Sequence, residues 1–230
     1  MRVHRPKPGA MRRKSLRTLQ VARRPGHRTL GILIAAHRTI PVTLGRSGIR
    51  VNKREGDGAT PAGRFRPLRL WWRPDRGPRP RGLLPVRRIG PEIAWCEDPA
   101  DRRYNRAFRR SANEPGDRLW RADGLYDLVV EIDHNTRPRV AGRGSAVFLH
   151  VARPDRGPTA GCVAMAANDL SRLLGAISTK TRILISLSRA RQRSQSRSGH
   201  GLNPWRWHQK SPHSFPLKAD SSHCGERSWR

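Results

Sequence analysis

At 230 residues the chain is long enough for one sizeable domain with ragged ends. Its 48 Lys and Arg against 17 Asp and Glu leave a formal charge of +31, mostly arginine. Such a balance attracts polyanions in general and singles out neither nucleic acid, nor an anionic membrane, nor a carboxylate-rich polymer. The 3 cysteines contain no Cys-x-x-Cys pair, which indicates neither a disulfide framework nor a zinc site.

Residues 1–28 are rich in Lys and Arg, carry no acidic residue and show no apolar periodicity, so they are predicted to be a solvated, disordered basic arm. The apolar run "LGILIAA", Leu30–Ala36, falls far short of the roughly 20 residues that span a bilayer. With "TIPVTLG" following, it reads as a buried strand of a strand pair rather than as an export signal, and no transmembrane segment is expected. "GRSGIRVNKREGDGATPAGRF" is a turn-rich hairpin region. Leu125–Ile132 is the longest predicted strand and ends in the turn formers Asp133 to Thr136.

After turns at Gly142 and Gly144 comes a second strong strand. Val147, Leu149 and Val151 share one of its faces, and Ala146, Phe148 and His150 the other. Leu170, Leu173, Leu174 and Ile177 mark one face of a helix, with Asn168 as its N-cap, Asp169 at its positive end and Gly175 a weak point near its end. "TRILISL" closes the domain as a strand with Ile183, Ile185 and Leu187 alternating. Short β-rich runs separated by Gly/Pro/Asp turns thus make residues 29–188 a mainly-β domain. Residues 189–230 are low-complexity Ser/Arg/His sequence, predicted to be disordered.

The stretch "FLHVARPDRGPTAGCVAMAANDL" carries the chemistry. A free thiol of pKa about 8.5 is a poor nucleophile unless an imidazole, a helix N-terminus or backbone N–H groups assist it. His150 stands at a strand exit, and the loop to Cys162 is long enough to fold the imidazole back to the sulfur. Gly161 removes the side chain that would block a substrate carbonyl and leaves backbone N–H groups to hold an oxyanion. The alternative is a buried cysteine and a hydrogen-bonded histidine with no chemical role. Zinc takes three or four ligands and this loop offers two, so no metal is expected.

The order "DGATPAGRF" at Asp57–Phe65, then "GRGSAVFLHVARPDRGPTAGCVA" at Gly142–Ala164, resembles the catalytic domain of the L,D-transpeptidases, the YkuD-type fold. More closely, it resembles a compact bacterial subgroup in which "KREGDGATPAGRF", "DRRYN", "LYDLVV" and "HVARP…TAGCVA" recur in this order. The resemblance covers about residues 29–188 and implies a β-sandwich of mixed sheets with a short helix after the cysteine. It makes Cys162 the nucleophile and His150 the proton donor and acceptor, with the Gly161 and Cys162 backbone as oxyanion donors. The implied substrates are peptidoglycan stem peptides: a tetrapeptide donor that forms a Cys thioester, and an amine acceptor that completes a cross-link. Water in the amine's place gives an L,D-carboxypeptidase, and no cofactor is implied.

Arg153 and Thr159 are the expected substrate-binding residues. Asp57, Thr60 and Gly63 are expected to build a tight turn beside the cleft, and Tyr104, Asn105 and Asn135 to line it. Cys96 beside Trp95 reads as core, and Cys224 as incidental. The sequence departs from the family where Ala160 replaces a second His and Ala164 replaces an Asn or Arg, and its His-to-Cys interval is short. Those departures leave the acceptor and the exact substrate open.

Two other readings are a basic nucleic-acid-binding protein and a family member that binds wall peptides without turning them over. Against the first, aromatics are few, no zinc-finger or RNA-binding signature is present, and the charge concentrates in the ends. Non-specific polyanion contact is expected from those ends, where Trp205, Trp207 and Trp229 lie, and no specific nucleic acid. The resemblance implies action in the periplasm or cell wall, although no export signal is evident.

Overall fold

The computed structural model describes residues 15–187. The predicted tail from residue 189 and the first half of the predicted arm lie outside the described residues, as do Cys224 and the tail tryptophans. The second half of the arm is a strand. In β1 (Thr18–Arg23) Leu19 and Val21 are fully buried, and β1 is the neighbour in the sheet of β2 (Leu30–Ala35) and of the last strand, β15 (Arg182–Ser186). Flanking arginines hide this strand in the composition, but the two apolar residues alternate with period two and face the core.

β2 pairs antiparallel with β3 (Arg38–Thr43), which makes the strand pair read from the sequence. The turn-rich region that follows is not an antiparallel hairpin: β4 (Ile49–Arg50) and β5 (Thr60–Pro61) pair parallel. β6 (Gly63–Phe65) then joins β15 at one edge, and β7 (Pro67–Trp72) and β8 (Val86–Arg88) form the other. β9 (Ile93–Trp95), β10 (Ala107–Arg109) and β11 (Asp117–Arg118) make a separate three-stranded sheet. β12 (Leu128–Ile132) is shorter than the predicted strand. Leu125 to Asp127 are spent on a turn in which Asp127 N–H donates to Gly124 O and Asp123 accepts from Leu125 N–H.

β13 (Phe148–Val151) lies between β12, antiparallel, and β14 (Val163–Met165), parallel. The ten strands β6-β15-β1-β2-β3-β14-β13-β12-β7-β8 form one mixed, curled sheet. The fold is mainly β and agrees with the L,D-transpeptidase-type β-sandwich, with a single short helix among the described residues.

That helix, α1 (Ala167–Leu174), buries Leu170, Leu173 and Leu174, as their spacing predicts. Its N-cap is Ala166, with no side-chain bond, so Asn168 lies inside the first turn and caps nothing. Gly175 is the C-cap, and Ile177, beyond the helix, is buried in the same core.

The alternation of β13 divides the interior in two. Val147 and Leu149 belong to the main core between the sheet and α1. Ala146 and Phe148 belong to a second, aromatic cluster with Trp71, Trp95 and Cys162. There Trp95 meets Phe148 edge-to-face at 4.9 Å and Trp71 at 6.5 Å, a geometry that ring quadrupoles favour.

Burial inverts the stability ranking that composition suggests. Leu19→Ala, in the predicted arm, should lower unfolding free energy by about 2–5 kcal/mol. Leu187→Ala, in the predicted closing strand but 52% exposed, should stay within about 0.5 kcal/mol. Urea denaturation of both variants measures the contrast.

Candidate active site

The parallel register of β13 and β14 creates the site. Leu149 faces Val163 and His150 faces Ala164, so one residue earlier Cys162 comes opposite Phe148. Phe148 N–H donates to the Cys162 sulfur at 3.3 Å, and the thiol donates to Ala146 O at 3.1 Å. His150 lies one same-face step further along β13. With strands about 4.8 Å apart and a rise of about 3.3 Å per residue, diagonal neighbours of this kind stand about 8 Å apart at the backbone. Both side chains line one cleft of about 400 Å³.

The imidazole and the thiol are not hydrogen-bonded to each other. His150 Nδ1 lies 2.8 Å from Val151 O. A carbonyl only accepts, so Nδ1 carries the hydrogen and Nε2 keeps its lone pair. The ring stands edge-on to Tyr126 at 5.4 Å. Burial is the largest influence on its pKa, outweighs the carbonyls of Val151 and Leu125, and pushes it down to about 4.

The Cys162 thiol moves the opposite way, pushed up to about 12 by burial. The Phe148 N–H opposes this shift, while the charges of Asp117 and Glu97 add to it. At neutral pH the pair is therefore a neutral thiol beside a neutral imidazole.

Much of the sequence motif serves the backbone around the cysteine. A Cβ on Gly161 would meet Ala59 O at 2.8 Å, so the "DGAT" turn packs directly on this position and requires glycine there. Asp57 holds that turn by accepting from Ala59 N–H and Arg54 N–H and by pairing with Lys53 at 2.6 Å. Thr60 accepts from Gly45 N–H and donates to Cys162 O. Gly63, expected in the same turn, instead lies in β6 and pairs with Ile185.

Ala146 adopts a left-handed conformation, φ 51°, uncommon for a residue with a side chain. Its N–H donates to Asn105 Oδ1, which also accepts from Trp95 Nε1–H. Asn105 in turn donates to His134 O and Asn135 O. Asn105 thus fixes the residue whose carbonyl receives the thiol hydrogen.

Of the expected site residues, Cys162, His150, Arg153, Thr159 and Gly161 all line the cleft. Two details differ from expectation. Thr159 Oγ1 is committed to the turn, donating to Cys162 O at 2.8 Å and accepting from Gly161 N–H at 3.1 Å. The Gly161 N–H is therefore not free for an oxyanion. Tyr104, Asn105 and Asn135 stand behind the cleft: Tyr104 donates to Glu55, and Asn135 ties down Val140 and Gly144.

Sequence reasoning missed Glu55, Glu97, Asp117, Arg121 and Tyr126, which share the lining with Arg46, Lys53 and Ser145. Glu55, inside the quoted "KREGDGATPAGRF", and Tyr126, inside "LYDLVV", carried a signal. Tyr126 donates to Asp117 at 3.0 Å, and the Arg121 guanidinium lies 5.2 Å from its ring centroid. Among the described residues no group of three His, Cys, Asp or Glu gathers to hold a metal, and no helix is long and apolar enough to cross a membrane.

A mainly-β sheet here presents a thiol and a neutral imidazole from adjacent strands to one cleft. The sequence matches the family model of the L,D-transpeptidase catalytic domain over residues 26–185, and the chain belongs to that family. Neither a curated protein nor a solved structure matches it.

The buried imidazole links stability to pH. An unfolded histidine titrates near 6.5 and the folded His150 near 4, so between these values the unfolded chain binds a proton that the native site refuses. The His150 contribution is complete above about pH 6.5 and falls by roughly 3 kcal/mol as pH drops to 4. Urea denaturation across this window should show a steeper decline for the native sequence than for His150→Asn.

Proposed function

We propose that the chain is a cysteine acyltransferase of the L,D-transpeptidase type, acting on peptidoglycan stem peptides through a Cys162 thioester. The observation that carries this reading is the placement of Cys162 and His150 on one face of adjacent parallel strands, lining a common cleft. Family membership supplies the substrate class.

The resting charges set the order of events. A thiolate is disfavoured in the empty site, so the Cys162 proton moves to His150 Nε2 as the sulfur attacks the carbonyl of the L,D peptide bond. With Gly161 N–H engaged by Thr159, the Cys162 N–H is the backbone donor of that pair left for the oxyanion. His150 then returns the proton to the departing amine of the terminal D-alanine, leaving a thioester and a neutral imidazole. An acceptor amine reverses the sequence and completes a cross-link, while water releases a trimmed stem. The exposure of Arg153 at the cleft supports a role in meeting a substrate carboxylate.

Mass spectrometry after incubation with purified disaccharide-tetrapeptide tests the proposal. The expected product is an acyl adduct on the Cys162 peptide with release of D-alanine. It should be absent in Cys162→Ala and form about 10²–10⁴-fold more slowly in His150→Ala. Peptide binding without adduct or D-alanine release would instead make the chain a non-catalytic wall-peptide-binding member of its family.

A further inference from the structure

Attack of a thiol on a peptide carbonyl gathers negative charge on the carbonyl oxygen, and preorganised donors aimed at that oxygen lower the barrier. Of the expected backbone pair, the Cys162 N–H alone is left, because the Gly161 N–H is engaged by Thr159 Oγ1 at 3.1 Å. A further donor has to come from the side chains of the lining.

Most of these are engaged or loosely held. Tyr126 donates to Asp117 at 3.0 Å, and Ser145 interacts with the Tyr104 hydroxyl. The Arg121 guanidinium pairs with Asp123 at 2.6 Å and reaches Asp117 at 3.7 Å. Arg46 and Arg153 are exposed, where solvent screens their charge.

Lys53 is different. It is 6% exposed and lines the cleft. Its Nζ donates to Asp57 Oδ1 at 2.6 Å and to Arg54 O at 2.8 Å. An ammonium carries three N–H groups, and the third has no partner among the described residues. Buried donors are seldom left without an acceptor, so an open N–H on a cleft wall points to an acceptor brought by a ligand.

Its placement fits. Lys53 Cε lies 3.6 Å from where a Cβ on Gly161 would stand, and Ala59 O lies 2.8 Å from the same point. Asp57 Oδ1 accepts from both Lys53 Nζ and Ala59 N–H. One carboxylate thereby ties the ammonium to the turn that packs against the residue before the nucleophile.

The ion pair also reconciles a nearby ammonium with a neutral thiol. The charge of Asp57 offsets that of Lys53 at a distance, and Lys53 ranks last among the influences on Cys162. A hydrogen bond from Nζ acts instead on an atom that arrives within reach of it. Such a donor does little for the resting sulfur and much for the oxyanion, which is the differential binding that accelerates a reaction.

We propose that Lys53 is a catalytic residue of the acyl transfer, its third N–H donating, beside the Cys162 N–H, to the oxyanion of the tetrahedral intermediate. This assignment rests on the acyl-transfer reading above and adds a charged side-chain donor to the backbone one.

The step balances without a proton from Lys53. The sulfur bonds to the carbonyl carbon, its proton passes to His150 Nε2, and the C=O π pair moves onto oxygen. Lys53 and Cys162 hold that oxygen by hydrogen bonds. The pair then re-forms the C=O bond, the C–N bond breaks, and the departing nitrogen takes the proton from His150.

Two reactions of the same sulfur in the full-length protein test the assignment. Disaccharide-tetrapeptide acylates it through an oxyanion, whereas iodoacetamide alkylates it by displacing iodide from a CH2 carbon and forms none. In Lys53→Met, D-alanine release should slow about 10²–10³-fold. Alkylation of Cys162, followed across pH, should change by less than about tenfold, the effect of one pKa unit. The double variant Lys53→Met, Asp57→Asn, which leaves no carboxylate without its partner, carries the same comparison where the single exchange impairs folding.

Native-like D-alanine release in Lys53→Met overturns the assignment and leaves the thioester chemistry standing. An equal fall in both reactions makes Lys53 a structural residue or a counter-charge to the thiolate, and also overturns it. Failure of the native sequence to form any thioester removes the acyl-transfer reading itself, and the role of Lys53 with it.

Discussion

The arrangement depends on how the Cys162 sulfur sits against the backbone of the neighbouring strand. It receives the Phe148 N–H and gives its hydrogen to Ala146 O, so both contacts come from the chain that leads into β13. A slip of one residue between β13 and β14 would turn Cys162 to the face opposite His150. The register is held by the two cores, since Leu149 and Val163 must face the main core while Phe148 must reach Trp95. The packing of ordinary apolar side chains thereby fixes a chemical geometry, at a modest backbone strain cost at Ala146.

The charge states follow from burial. Placing a thiol and an imidazole in an apolar, aromatic surround favours the neutral form of each. A preformed thiolate–imidazolium pair would need a compensating field, and here the charges of Asp117 and Glu97, which disfavour the thiolate, outrank that of Lys53, which favours it. In the proposed chemistry activation therefore waits for substrate, whose entry changes the solvation and brings the carbonyl that the sulfur attacks. A thiol kept neutral in the empty site is also less open to adventitious oxidation and alkylation, since the thiolate is the reactive form.

Much of this was legible in the residues. The alternation of Val147, Leu149 and Val151 against Ala146, Phe148 and His150 named both faces of β13, and the Leu170, Leu173 and Leu174 spacing named the buried face of α1. The glycine before the cysteine was read as clearance for substrate; the structure shows that its lack of a side chain also makes room for the Ala59 carbonyl. What stayed hidden was long-range. Glu97 follows β9 and Asp117 opens β11 in a small separate sheet whose short strands have no clear period, so nothing local brings them to the thiol. Asn105 was noticed, but its service to Ala146 spans 41 positions and appears only once the chain is folded. β1 was lost because arginine dominates its neighbourhood, although Leu19 and Val21 alternate as a half-buried strand should.

The ionisation of Cys162 in the unliganded protein tests this picture most directly. The chain labelled at cysteine 13Cβ, with Cys96→Ser and Cys224→Ser to isolate one signal, can be titrated by NMR. The Cys162 resonance should keep its thiol shift through neutral pH and move only in strongly alkaline solution, well above an ordinary thiol. A thiolate shift at or below pH 7, accompanied by a protonated His150, would contradict the neutral pair from which the proposed order of proton movements follows.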